Sequence, residues 1–316
     1  MAQPIVYLKN FTKMYGDKLV LRNINLQINS GEIFGVIGMS GSGKTTFLNS
    51  LIGFLSPDSG AVYFKSGTTF KKVHENQLEV NRMFGFASQE PSVYQKLTVE
   101  ENLDHFGSLY DLPEHVKESN IQRLLRLTNL TESRNTLAQN LSGGMQKRLS
   151  IACALIHDPK ILILDEPTAD LDPVLMDQTW NLIKSVNKQG ATVIVASHFL
   201  DEIEKDCDNI ALLHNKSILL TGPPIKIKED YTPDYEIIIE TAEKDYSAIL
   251  QKLREYPNHE IQHSIIKDGR LIIYTPEPDE ILHCLIHILE WAEQTVVNID
   301  MKKPTLNEIF EALTRK

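Results

Sequence analysis

Cysteine is scarce in this chain of 316 residues: only Cys153, Cys207 and Cys284 occur. They are far apart, odd in number and without metal-ligand spacing, so neither a disulfide framework nor a cysteine-rich metal site is expected. They read as ordinary thiols of a reducing, cytosolic setting. Long apolar runs are also missing. None approaches the roughly 18 to 20 residues that cross a bilayer, so any membrane role must come through a partner. The start, Met1-Ala2-Gln3-Pro4, lacks the basic then apolar pattern of a signal peptide, and none is expected. Positive charge is outweighed, 32 Lys and Arg against 42 Asp and Glu, a net charge of -10. That balance argues against a surface built to hold nucleic acid non-specifically. No internal repeat or low-complexity tract is visible. What is present is apolar material, 42% of residues, enough for a real core. The length suits a main domain with a smaller appendage.

Ile5 to Leu8 reads as a short strand, and Leu19 to Ile28 alternates as a half-buried strand does. Glu32 to Ile37 is a short apolar run, followed by a glycine-rich loop and then helical character from Thr45 to Leu55. Residues 98 to 138 are largely helical in pattern, and Met145 to Ile156 is a second helical stretch. Ile161 to Leu164 and Thr192 to Ala196 are continuous apolar runs of strand length between helices. Such runs point to an α/β fold with a parallel sheet buried on both faces. The texture changes at Gly222-Pro223-Pro224, and the charged, turn-rich stretch to Asp234 reads as a linker. Beyond it the expected order is strand (Tyr235 to Glu240), helix (Asp245 to Arg254), strands Ile261 to Ile266 and Leu271 to Tyr274, helix (Ile281 to Trp291) and strand (Val296 to Ile299). The two middle strands flank the hairpin signal Lys267-Asp268-Gly269-Arg270. This β-α-β-β-α-β order suggests a small α+β, ferredoxin-like domain, closed by a helix from Leu306 to Leu313. The expected division is 1–224, with a helical subdomain at about 98–140, and an accessory domain at 235–316.

The loop Gly38-Met39-Ser40-Gly41-Ser42-Gly43-Lys44-Thr45-Thr46 has the residue types of a phosphate cradle. Its glycines let the backbone wrap around phosphate oxygens and aim N–H groups inward, where a Cβ would block the approach. Lys44 brings a positive charge for the β- and γ-phosphates, the Thr45 hydroxyl can ligate Mg²⁺, and the following helix adds its positive end. The preceding strand and following helix are the context this motif requires. A glycine-rich turn with a chance Lys-Thr pair is the bland alternative, and that context disfavours it.

The run Ile161 to Glu166 sets two carboxylates at the end of a buried strand, where open α/β sheets place their ligands. Asp165 is the candidate Mg²⁺ ligand and Glu166 the candidate that takes a proton from attacking water. A strand ending in solvated charge is the alternative, and it weakens beside the cradle.

Leu141-Ser142-Gly143-Gly144-Met145, between the cradle and the acidic strand, resembles the signature motif of ABC-type ATPases. Over about residues 4 to 225 the chain is similar to that family in motif order. Tyr15, before a glycine, sits where the family stacks a ring on adenine. Gln89 matches the loop residue that touches magnesium and the attacking water. Ala169-Asp170-Leu171-Asp172 follows the acidic strand like the family's D-loop, and His198 looks like the switch histidine that contacts γ-phosphate. The resemblance implies a P-loop ABC-type ATPase core with ATP and Mg²⁺ as ligands. It assigns catalysis to Glu166, His198, Gln89 and Lys44, and metal binding to Thr45, Gln89 and Asp165. Nucleotide contacts fall to Tyr15, to Gly38 through Thr46, and to Ser142, Gly143 and Gly144. The last three, at a helix start with free N–H groups, suit the γ-phosphate of a second subunit.

Two positions depart from the family. Met145 stands where Gln is usual, as in drug-exporter-like members, and Asp170 where Gly or Ser is usual. Lys303-Pro304-Thr305-Leu306-Asn307-Glu308-Ile309-Phe310 and Leu97-Thr98-Val99-Glu100-Glu101-Asn102-Leu103 resemble bacterial exporters' ATPase subunits more loosely. The resemblance implies ATP sandwiched between two copies or paired ATPase subunits, driving export by a separate multi-span transmembrane permease. The chain would then sit in the cytoplasm, peripheral on the inner face of the cell membrane through that permease. The rivals are a non-transport ABC ATPase acting on nucleic acid or the ribosome, which the acidic charge disfavours, and a kinase using only the cradle. His283 and His287 share a helix face with Asp279, Glu280 and Glu290 and read as a solvated surface, not a metal site. Lys71-Lys72 and Lys147-Arg148 are too small for nucleic-acid patches.

Overall fold

The computed structural model describes residues 3–231, 234–254, 261, 263–303 and 305–314. The chain divides into two units, Met1–Pro223 and Pro224–Lys316.

The first unit opens with strands β1 (Pro4–Tyr15), β2 (Lys18–Asn29) and β3 (Ile33–Ile37), then helix α1 (Lys44–Leu51). Strands β4 (Ser59–Ser66) and β5 (Thr69–Lys72), helix α2 (Gln77–Met83) and strand β6 (Phe84–Ala87) follow. Next are helices α3 (Val99–Leu109), α4 (Glu114–Leu127) and α5 (Gly143–Leu155). Strand β7 (Ile161–Asp165), helix α6 (Pro173–Lys188), strand β8 (Thr192–Ser197), helix α7 (Leu200–Asp206) and strands β9 (Asn209–His214) and β10 (Ser217–Gly222) complete it.

Six strands form the central sheet in the order β10-β9-β3-β8-β7-β6. All its pairs are parallel except β10 on β9. Every residue of β3, β7 and β8 is buried, which explains their unbroken apolar sequence. A second sheet, β2-β1-β4-β5, is antiparallel and shares one core with the first through Phe11, Ile24, Phe47, Phe64 and Ile163. The carboxyl ends of β3, β7 and β8 carry the cradle, Asp165-Glu166 and Ser197-His198, so parallel register alone gathers the chemistry at one edge.

The helical stretch is α3 and α4 with short connections, less continuous than the sequence pattern implies. A capping box starts α3: Thr98 Oγ1 accepts from the Glu101 amide at 3.2 Å, and Glu101 Oε2 accepts from the Thr98 amide at 2.7 Å. Such a cap stabilises a helix start by about 1 kcal/mol. Strand β1 is longer than the expected Ile5 to Leu8, because Asn10, at φ 49°, bends it and breaks its period of two.

In the second unit the expected linker contains a helix, α8 (Pro224–Tyr231). Proline suits the first turn of a helix, where its missing N–H costs nothing, so the Pro223-Pro224 pair marks a helix start as well as a turn. Strand β11 (Tyr235–Thr241), helix α9 (Ser247–Arg254), strands β12 (His263–Lys267) and β13 (Arg270–Thr275), helix α10 (Pro278–Trp291), strand β14 (Val296–Lys302) and helix α11 (Leu306–Thr314) follow. The sheet order is β12-β13-β11-β14, wholly antiparallel. Asp268 and Gly269, at φ 52° and 74°, make the primed turn that the β12–β13 hairpin needs. Helix α10 buries Ile281, Leu285, Ile288 and Leu289 and leaves His283 and His287 exposed, so the histidine pair is a solvated face. Gln262 and Pro304, parts of an expected strand and of the C-terminal motif, lie outside the described residues. Among the described residues no helix is long and apolar enough to cross a membrane.

Candidate active site

The cradle joins β3 to α1 with Gly43 as N-cap at φ 105°, a left-handed conformation that glycine adopts without strain. Gly38 is fixed by space. A Cβ there would lie 2.4 Å from Ser42 Oγ and 2.7 Å from the Leu213 carbonyl oxygen of β9. Lys44 is only 7% exposed. Its ammonium donates to the Gly38 carbonyl at 2.8 Å and pairs with Glu166 Oε1 at 3.2 Å.

Asp165 and Glu166 end β7 beside the cradle and are 3% and 6% exposed. The Thr45 hydroxyl donates to Asp165 Oδ2 at 2.8 Å, while Asp165 Oδ1 is buried with no partner among the described residues. Burial pushes the Asp165 carboxyl above the usual range, the bond from Thr45 pulling the other way. A desolvated carboxylate oxygen beside a hydroxyl is a donor set that suits a small hard cation. Glu166 holds a left-handed backbone, φ 51°, tied by its amide to the Ala196 carbonyl at 2.9 Å. Its Oε2 lies 2.5 Å from His198 Nδ1, the first residue beyond β8. A carboxylate only accepts, so Nδ1 carries the proton of this bond.

Gln89 is exposed in the loop after β6 and lines a small cleft with Ala87, Lys147, Asp165 and Pro167. Tyr15 is 48% exposed at the β1–β2 hairpin, whose second strand brings Val20 and Leu21 against Gly43. Ser142 caps α5, its hydroxyl accepting from the Met145 amide at 3.3 Å. Gly144 packs on Leu175, which a Cβ would approach to 2.9 Å. Among the described residues no hydrogen bond or ion pair joins Ser142, Gly143 or Gly144 to the cradle within this chain. Lys44, Thr45, Asp165, Glu166 and His198 are thus in direct contact, Gln89 lines the adjoining cleft, and Ser142 to Gly144 stand apart.

Several residues here have no motif of their own. Lys147 donates to the Ala169 carbonyl, and burial lowers its ammonium pKa against the opposing pull of Asp170, Glu90 and Glu166. Glu202 Oε2 accepts from Thr168 Oγ1 and from Trp180 Nε1, each at 2.7 Å. Their only sequence signal is an offset of about one helical turn, Lys147 from Gly144 and Glu202 from His198.

Residues 21–169 match the family model described as ABC transporter. The chain is 30% identical over 310 residues to the Nod factor export ATP-binding protein I of Sinorhizobium fredii, covering 98% of this chain and 85% of that protein. It is 38% identical over 226 residues to ABC transporter G family member 20 of Dictyostelium discoideum, matching 72% of this chain but spanning only 30% of that relative's length. A solved dimeric ATP-binding cassette in a post-hydrolysis state, bound to ADP and Pi, superposes with a TM-score of 0.63 at 29% identity, covering 70% of this chain and 99% of the other.

Proposed function

This chain belongs to the ABC transporter family as an ATP-binding protein, and on that premise we propose that it hydrolyses ATP between two paired subunits to drive export by a separate transmembrane permease. The observation behind this reading is the convergence of Lys44, Glu166 and His198 at one carboxylate. The cradle amides and Lys44 hold the β- and γ-phosphates, and Lys44 exchanges its Glu166 partner for them. Glu166, released from that pair, takes a proton from water as the water oxygen attacks the γ-phosphorus. The bond to the β-bridging oxygen breaks, leaving ADP and inorganic phosphate. His198 orients Glu166 through Nδ1–H, and with both ring nitrogens protonated its Nε2–H donates to the γ-phosphate. Tyr15 stacks on adenine.

Thr45, Asp165 and Gln89 would hold Mg²⁺, and the unpartnered Asp165 Oδ1 fits that use. The ion would supply neutralisation of the charge shared by the β- and γ-phosphates. Ser142, Gly143 and Gly144 of one subunit face the cradle of the other, which agrees with their separation from their own cradle. Hydrolysis severs the γ-phosphate that both surfaces grip and phosphate leaves, the pair opens, and the permease converts closing and opening into alternating access. Export follows the name of the Sinorhizobium relative. The second unit is read as a ferredoxin-like accessory domain, an assignment supported by its β-α-β-β-α-β order and antiparallel sheet.

Turnover of the full chain tests the paired site. The rate per subunit should rise with protein concentration and vanish in Lys44→Ala, whereas a rate independent of concentration would count against pairing. Co-purification from detergent-solubilised membranes with a multi-span protein supports the transport step. Salt-sensitive association with RNA or DNA in its place would favour the non-transport rival. A chain ended at Pro223 should keep nucleotide binding, and its loss in a folded fragment would overturn the two-domain division.

A further inference from the structure

The turn between Glu166 and Asp170 is strained at both ends. Both residues are non-glycine and both hold left-handed backbone, φ 51° and 61°. Such conformations persist only where neighbours over-determine them. The turn's own backbone supplies little: the Ala169 amide reaches the Glu166 carbonyl at 3.2 Å, and the Leu171 amide reaches the Thr168 carbonyl at 3.3 Å. Both are long for amide bonds.

The residues between are gripped from two helices. Thr168, 1% exposed, donates its hydroxyl to Glu202 of α7, and the same oxygen is fixed by the Trp180 indole of α6. Lys147 of α5 donates to the Ala169 carbonyl and stands among the carboxylates of Asp170, Glu90 and Glu166. Helix α7 begins just beyond His198, and α5 is capped by Ser142. The two side chains therefore tie the turn that bears Glu166 to the two other segments assigned to phosphate contact.

We propose that Glu202 and Lys147 are positioning residues for hydrolysis, holding the strained Glu166–Asp170 turn through Thr168 and Ala169 so that Glu166 stays against His198. Neither touches substrate in this account. Asp170 adds a carboxylate where the sequence departs from its family, and the Lys147 ammonium offsets it. The inference rests on the proposed ATPase reading. It adds that geometry, rather than nucleotide affinity, is lost when the grip is released, because Lys44 exchanges its Glu166 partner for phosphate once nucleotide binds and, among the described residues, the cradle makes no contact with the turn's grip.

The test compares kcat and KM for ATP in the full-length chain, Thr168→Val, Lys147→Met and Lys147→Arg, with Glu166→Gln as the inactive reference. Thr168→Val keeps side-chain shape and deletes only the hydroxyl grip on Glu202. Thr168→Val and Lys147→Met should each lower kcat by roughly tenfold or more with KM changed less than about twofold. Lys147→Arg, still charged and still a donor, should recover most of the loss. A purely structural contact would lower the melting temperature without this split. A kcat within about twofold of wild type in either deletion variant, or an Arg variant no better than Met, would overturn the proposal. If the wild-type chain shows no turnover that Glu166→Gln removes, the ATPase reading itself falls, and the inference with it.

Discussion

His198 Nδ1 meets Glu166 Oε2 at 2.5 Å, while the other oxygen of that carboxylate faces the Lys44 ammonium at 3.2 Å. One carboxylate thus joins the phosphate-binding lysine to the residue beyond β8. Replacing Glu166 by Gln keeps size and one of the two accepting oxygens but removes the carboxylate that takes the proton. Turnover should fall about a hundredfold or more, the range of a lost general base, with ATP affinity retained. An ATP-bound dimer should then accumulate and be visible by size-exclusion chromatography. Normal turnover in Glu166→Gln would remove Glu166 from this role. His198→Ala should also slow turnover, since it frees Glu166 on one side only.

Gly38→Ala probes the fit of the cradle against β9. The added Cβ meets Ser42 Oγ, which can rotate away, and the Leu213 carbonyl oxygen at 2.7 Å, which cannot without moving β9. Overpacking of this kind costs about 1–3 kcal/mol. If the loop shifts to relieve it, nucleotide affinity should drop by about ten- to a hundredfold while the fold survives. Titration with a fluorescent ATP analogue, beside a melting curve, checks this, and unchanged affinity would show that the loop has slack.

The cradle, the acidic end of β7 and the Leu141 to Met145 segment were legible in the sequence because each is one contiguous run whose chemistry is local. The buried parallel strands were legible from unbroken apolar runs. The β4–β5 hairpin is hidden in the sequence, since Ser59 to Lys72 mixes small, aromatic and charged residues without clean alternation. Bulges hid the length of β1, and two prolines hid α8. Glu202 and Lys147 carry little more than a helical offset in the sequence, for another reason. Their partners, Thr168, Trp180 and Ala169, lie 34, 22 and 22 residues away in sequence, and nothing in a linear run records such contacts. In the sequence Lys147 reads only as half of a basic pair with Arg148.

His157 should make stability depend on pH. It stacks on Tyr110 with centroids 3.7 Å apart, and its Nε2 lies 3.2 Å from the Phe84 carbonyl. Burial pushes the imidazole down to about 4. In the unfolded chain it takes up a proton near 6.5, so between these values the unfolded state binds more protons and stability falls as pH falls. The loss from this residue is on the order of 2–3 kcal/mol by about pH 4. His157→Phe keeps the stack and removes the titration. Urea midpoints stepped from about pH 7.5 to 4.5 should fall less steeply in the variant, and parallel curves would assign the acid sensitivity elsewhere.

Asn102 orders the segment between the Gln89 loop and α3. It is 0% exposed. Its Oδ1 accepts from the Tyr94 amide at 2.7 Å, and its Nδ2 donates to the carbonyls of Tyr94, Leu97 and Thr98 at 3.0, 3.2 and 2.9 Å. One amide therefore pins this turn through four bonds, adding to the backbone bonds that the same carbonyls accept: Tyr94 from the Leu97 amide, Leu97 from the Ala138 amide and Thr98 from the Asn102 amide. Asn102→Asp keeps the acceptor but points a second oxygen at three carbonyls, losing every side-chain donor. Stability should fall by about 2–4 kcal/mol, since the carbonyls keep their backbone donors but a buried carboxylate oxygen now faces them with no donor of its own. The loss should appear first as local opening, because the affected contacts are confined to 94–98. Chymotrypsin cleavage after Tyr94 should accelerate in Asn102→Asp well before global melting. If cleavage and melting shift together, the amide supports the whole helical stretch, not just this turn.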